Sequence, residues 1–163
     1  MDDTVLTPAR LWKQLTGDER LKVARAFWLD EDAAEDQLQA VMLIAQRKNF
    51  RSKTIVAMDV DRKARHLATM PNLSDALAAR LLTVYHLATQ RPMMGTFLEA
   101  LGIAHDNGLI QDDGVKPDPE KVGPAVAALT AQYPQEDVKL YLLTLLCQDR
   151  ETWGALSDTS GIG

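Results

Sequence analysis

The stretch from Leu73 to Thr89 constrains the chain more than any other, because its apolar residues leave little of a helical circumference free for water. Leu73, Leu77, Leu81, Val84 and Ala88 recur at helical spacing, and Leu82, Tyr85 and Leu87 carry apolar surface around the sides. A helix of that kind belongs in a core, so the remaining sequence must supply elements that surround it. Its expected limits are Asn72, as cap after Pro71, and the Arg91-Pro92 step, where the residue before proline is driven out of the α region.

The surrounding sequence is helical too. Thr7-Pro8 starts a first helix bearing Leu11, Trp12 and Leu15, which Gly17 should stop. Thr16 and Glu19 have capping-box spacing, so a second helix is expected over about 18–29 with Leu21, Ala24 and Trp28 on one side and Val23 and Phe27 beside them. Asp30, Glu31, Asp32, Glu35 and Asp36 oppose the positive end of a third helix, whose expected buried stripe is Leu38, Val41, Met42 and Ala45. After an exit at Asn49-Phe50, Ser52 is the expected cap of a fourth helix over about 53–69. Its thin stripe of Val56, Val60, Ala64 and Leu67, with Ile55 and Met58 off to the sides, suggests peripheral packing. Pro92 opens a helix carrying Met93, Phe97, Leu98 and Leu101, which Gly102 ends. Asp118-Pro119 starts another with Val122, Ala125, Val126 and Leu129 inward, and Val138–Cys147 forms a second core helix before a short terminal helix that brings Trp153 back. The reading is all-α: one irregular bundle of about eight to nine helices forming a single domain over 1–156, with a frayed tail at 157–163 and one irregular loop near 103–118.

A chain of 163 residues buries roughly two-thirds of the surface its unfolded form exposes, so it needs neither disulfide nor metal to close a core. The lone Cys147, in Leu-Leu-Thr-Leu-Leu-Cys, is expected to be a buried structural thiol. An acidic amino end without an apolar segment behind it, and no apolar run of the ~18 residues that span a bilayer, point to a cytoplasmic chain without membrane contact.

Net charge is −5, which gives no general attraction to nucleic acid, yet the charge is unevenly placed. Residues 47–66 carry seven basic and two acidic side chains, whereas residues 1–46 carry five and nine and residues 67–163 carry six and twelve. Within this basic waist, Arg47, Lys48, Arg51, Ser52 and Lys53 gather cations and a hydroxyl at an expected helix start, where free N–H groups favour an anion or an acidic partner. Arg62 and Arg65 should be exposed, while the Lys63 stem lies along the apolar stripe. Pairing of the waist with the acidic residues of 106–120 offers a route to self-association.

In the irregular loop, Asn107-Gly108 and Asp113-Gly114 are turn dipeptides, and Leu109-Ile110 is an expected extended piece of a small hairpin. His66 and His86 lack a carboxylate, cysteine or histidine three or four residues away, so neither forms a helical metal pair, and His86 is expected on the polar side of its helix. The acidic loop does not reproduce the ligand spacing of a calcium-binding loop. Neither a phosphate-binding glycine loop nor a Gly-x-Ser-x-Gly elbow nor a Cys-x-x-Cys pair is present, so no cofactor is expected.

His105-Asp106, within Leu-Gly-Ile-Ala-His-Asp-Asn-Gly, distantly resembles the metal-binding dipeptide of the HD phosphohydrolases, an all-helical family. The resemblance implies a divalent metal that activates water, held by His105 and Asp106 with His86 or His66 as the first ligand and Asp137 or Asp149 as the last. It departs from the family where Asn107-Gly108 favours a turn and Leu109 replaces a lysine. The expected function is therefore a non-enzymatic helical module for protein interaction or oligomerisation. An HD-like phosphohydrolase centred on His105-Asp106 and a weak anion or nucleic-acid binder through 47–66 are the alternatives.

Overall fold

The computed structural model describes residues 6–112 and 114–158, and among these the chain is all-α, with ten α-helices, two 3₁₀ turns and one two-stranded hairpin. Of the expected tail, Ser157 and Asp158 close the last 3₁₀ turn, and residues 159–163 lie outside the described residues. Contacts group the chain into two compact units, residues 7–89 and residues 90 onward.

The first unit comprises α1 (Pro8–Gln14), α2 (Gly17–Leu29), a 3₁₀ turn (Glu31–Ala33), α3 (Ala34–Lys48), α4 (Ser52–Val56), α5 (Val60–Ala68) and α6 (Asp75–Thr89). Thr7 accepts the Arg10 N–H to start α1, and Thr16 and Glu19 complete a reciprocal capping box on α2. Gly17 is thus the first residue of α2 rather than the stop of α1, because the box draws the helix start back to Thr16. The polar links are long-range: Trp12 Nε1 donates to Met70 O at 2.8 Å, and the Arg20 guanidinium donates to Leu15 O and Ala68 O, satisfying carbonyls at the ends of α1 and α5.

Three expectations change here. The helix foreseen over 53–69 is two helices, since Asp59 accepts the Arg62 N–H and begins a new one. That break resets the phase, burying Ile55 and exposing Val56. Far from being peripheral, α5 packs along α2 with Ala64 and Leu67 withdrawn from water. The cap of α6 is Ser74, whose Oγ accepts the Leu77 N–H, rather than Asn72, whose carbonyl instead receives Arg47.

Helix α6 is buried over Leu77, Ala78, Leu81, Leu82, Val84, Tyr85 and His86, and packs on α1, α2 and α3. His86 therefore lies in the interior, not on a polar side, with Nδ1 at 2.8 Å from Leu82 O.

The second unit contains α7 (Arg91–Ala100), β1 (His105–Asp106), β2 (Leu109–Ile110), α8 (Pro119–Gln132), α9 (Gln135–Gln148), α10 (Arg150–Trp153) and a 3₁₀ turn (Gly154–Asp158). At the end of α7, Gly102 has a positive φ of 72°, Ile103 N–H reaches Leu98 O and Gly102 N–H reaches Glu99 O, the bond pair of a Schellman stop. Phe97 stands edge-on to Tyr141 and tilted against Trp153, with ring centroids 5.7 and 5.9 Å apart. Val122, Ala125, Val126 and Leu129 form the buried stripe of α8, as their spacing requires. Cys147 is half-buried, less enclosed than expected, with Sγ 3.4 Å from Thr144 O one turn back on α9.

Leu81 and Leu142 are both wholly inaccessible to solvent, so Leu81→Ala and Leu142→Ala should each cost about 2 to 5 kcal/mol, whereas Gln111→Ala on the exposed hairpin flank should cost little. We propose that residues 1–156 behave as one domain, in which case either core substitution moves a single urea transition. Two transitions, each moved by only one of the substitutions, would contradict that.

Candidate functional site

Four polar side chains fix the rotation of α3 about its axis. Asp36 pairs with Arg80 at 2.9 Å, and the Gln37 amide donates to Phe27 O and Asp30 O at 2.9 and 2.8 Å. At the other end, Arg47 donates to Asn72 O and Lys48 donates to Thr69 Oγ1 at 3.0 Å. Gln37 adds a side-chain donor to two carbonyls at the end of α2 that also accept backbone N–H groups, Phe27 O from Asp30 and Asp30 O from Ala33, both at 3.3 Å. With these groups turned inward, Ala40, Val41 and Ile44 are buried.

The expected stripe is therefore wrong by part of a turn. Val41 is inside, but Leu38 and Met42 are 58% and 61% exposed and Ala45 is intermediate. Ala34, Leu38, Met42 and Ala45 lie at helical spacing, so the outward side of α3 presents an apolar row to water.

The basic waist divides along the same lines. Arg47 and Lys48, singled out as anion ligands, tether α3 to the loops that end α5 and precede α6. Arg51, Ser52 and Lys53 are exposed at the start of α4, but that helix has five residues, and Ser52 is its first residue rather than its cap. So short a helix aligns too few peptide dipoles to supply the anion attraction expected there. Arg62 and Arg65 are exposed, and Lys63 lays its ammonium 5.1 Å from the centre of the Trp28 ring.

His105-Asp106 forms β1. Asn107 and Gly108 take φ of 51° and 91°, which a two-residue type I′ hairpin requires, and His105 pairs with Ile110 and Asp106 with Leu109. A Cβ at Gly108 would lie 3.0 Å from Met94 Cβ and 3.3 Å from Arg91 O, so this turn seats directly on α7. His105 Nδ1 accepts the Gly108 N–H at 3.0 Å, leaving the ring proton on Nε2, 3.5 Å from Glu99 Oε1. The imidazole also lies against Gly95, where a Cβ would come within 3.1 Å of Cε1. Its geometry is that of a brace between hairpin and helix.

His66 and His86 are on α5 and α6, and the proposed last ligands Asp137 and Asp149 are on α9 and at the cap of α10. Among the described residues, no group of three or more histidine, cysteine, aspartate or glutamate side chains is placed to hold a metal ion. No helix among them is long and apolar enough to cross a membrane. Of the acidic loop, Asp106, Asp112 and Glu120 are exposed, Asp118 caps α8, and Asp113 lies outside the described residues.

Burial first, then the nearby cations Lys48 and Arg62, hold the His66 imidazole below its ordinary value of 6.5, and Phe50 stands edge-on to it. The unfolded chain then binds the proton more readily than the folded one. Stability from this source is complete above pH 6.5 and declines as pH falls from there through the lower folded value. His66→Gln should flatten that part of the stability curve measured by urea unfolding; an unchanged slope would show that the acid sensitivity arises elsewhere.

The chain matches no protein-family model, none of the curated proteins and none of the solved structures with which it was compared.

Proposed function

We propose that this protein is a non-enzymatic helical module that acts by binding protein through the outward side of α3. The supporting observation is the apolar row of Leu38 and Met42, two large side chains one turn apart that remain largely in water. Burying the part of each that is exposed, 58% and 61%, would contribute about 1 to 2 kcal/mol apiece, and nothing in the packing of residues 7–89 collects it. Two adjacent apolar groups on a rigid helix are the usual anchor of helix-mediated recognition.

The tethers support the reading because they make the surface rigid. Asp36, Gln37, Arg47 and Lys48 hold α3 in one rotation, so a partner meets a preformed row at little ordering cost. The proposal places the protein in the cytoplasm, where the lone Cys147 stays a thiol, and with net charge −5 it makes nucleic acid a secondary partner at most.

A photo-crosslinking residue introduced at position 38 or 42 tests this in cells. Crosslinked protein species, whether of this chain or another, should appear from these positions and not from Gln132 on the exposed side of α8. Equal, background crosslinking at 38, 42 and 132 would remove the basis for the proposal.

A further inference from the structure

Resting on the interaction reading, we propose that the occupant of the α3 row is the α3 of a second copy of this chain, packed antiparallel across a twofold axis between Leu38 and Met42. The two ends of this helix carry opposite charge. Residues 30–36 hold five acidic side chains and no basic one, and residues 47–53 hold four basic side chains and no acidic one. Glu31, Asp32 and Glu35 are exposed at the first end, and Arg51 and Lys53 at the second.

A twofold rotation about an axis through the middle of the row carries each end onto the other. Leu38 of one copy then faces Met42 of its partner, and both acidic ends meet basic ends. The opposed helix directions also bring each positive dipole end beside a negative one. A parallel pair would instead set acid against acid and base against base, which like-charge repulsion disfavours. A two-ended charge pattern with an apolar centre is complementary to itself in one orientation, the property that an isologous interface needs.

Helix α3 has 15 residues, a length of about 22 Å at the α-helical rise. A contact built around it belongs to the small, transient class, so association should depend on concentration and salt. Sedimentation equilibrium from about 10 to 500 µM protein spans the range where such contacts populate. The wild-type mass should rise above the 18.0 kDa of one chain and fall back in high salt.

Three further samples make the test specific. Met42→Lys should weaken the dimer at least tenfold. Counted over the exposed side chains, Glu31→Lys with Glu35→Lys turns the first end from −3 (Glu31, Asp32, Glu35) to +1, Arg51→Glu with Lys53→Glu turns the second from +3 (Arg47, Arg51, Lys53) to −1, and each double variant should stay monomeric alone. Mixed one to one, they should form a heterodimer, because every end again meets its opposite. Circular dichroism confirms that each is folded, and Leu38→Lys replaces any that is not. A wild-type chain that remains at 18.0 kDa throughout overturns the proposal. So does a Met42→Lys chain that associates like wild type, or folded double variants that do not pair when mixed. If the wild type is monomeric while positions 38 and 42 still crosslink to a different protein, self-pairing falls and the broader interaction reading stands.

Discussion

Val23, Ala24 and Phe27 of α2 and Ala64 and Leu67 of α5 are withdrawn completely from water, and the packing of these two helices positions the rest of residues 7–89. Ala24 on α2 and Ala64 and Ala68 on α5 are small and buried, which suits a close approach of the two helices. The Arg20 guanidinium, on α2, then reaches Ala68 O at the end of α5, and Trp12 Nε1 reaches Met70 O just beyond it. Buried or half-buried carbonyls at helix ends would otherwise be left without donors, so these bonds contribute by what their loss would cost.

Once α2 and α5 are fixed, the segment joining them has limited freedom. Helix α3 leaves the end of α2, docks the Gln37 amide on Phe27 O and Asp30 O, and ends at Asn49, whose left-handed φ of 58° turns the chain toward α4. Two apolar phases compete on α3: Ala40, Val41 and Ile44, or Leu38, Met42 and Ala45. The bonds that Asp36, Gln37, Arg47 and Lys48 make to neighbouring elements favour the first. The second is left outside, and a surface formed in this way is a consequence of the fold rather than a gap in it.

Local chemistry was the most legible part of the sequence. Thr7, Thr16 with Glu19, Asp118 and Gly102 each act within a few residues of themselves, so side-chain type and spacing sufficed to locate the helix ends. The Asn107-Gly108 turn was readable for the same reason. What periodicity could not resolve was the choice between two apolar phases on α3, because Gln37 bonds Phe27 O and Asp30 O, both outside that helix. The break before α5 was similarly hidden, since Asp59 follows apolar residues that continue a plausible stripe. Arg47 and Lys48 read as ligands because their bonding partners, Asn72 O and Thr69 Oγ1, are more than twenty residues away in the chain.

The central claim is that the rotation of α3 turns Leu38 and Met42 outward and Val41 and Ile44 inward. Thiol-labelling rates test it directly, using single cysteines at positions 38, 41, 42 and 44 in a Cys147→Ser background at a dilution where the chain is monomeric. The account predicts that Leu38→Cys and Met42→Cys react at rates approaching those in the urea-unfolded chain, while Val41→Cys and Ile44→Cys are slowed by orders of magnitude. Protection at 38 and 42 with rapid reaction at 41 and 44 would show that α3 is rotated the other way, and the surface proposed for binding would not exist.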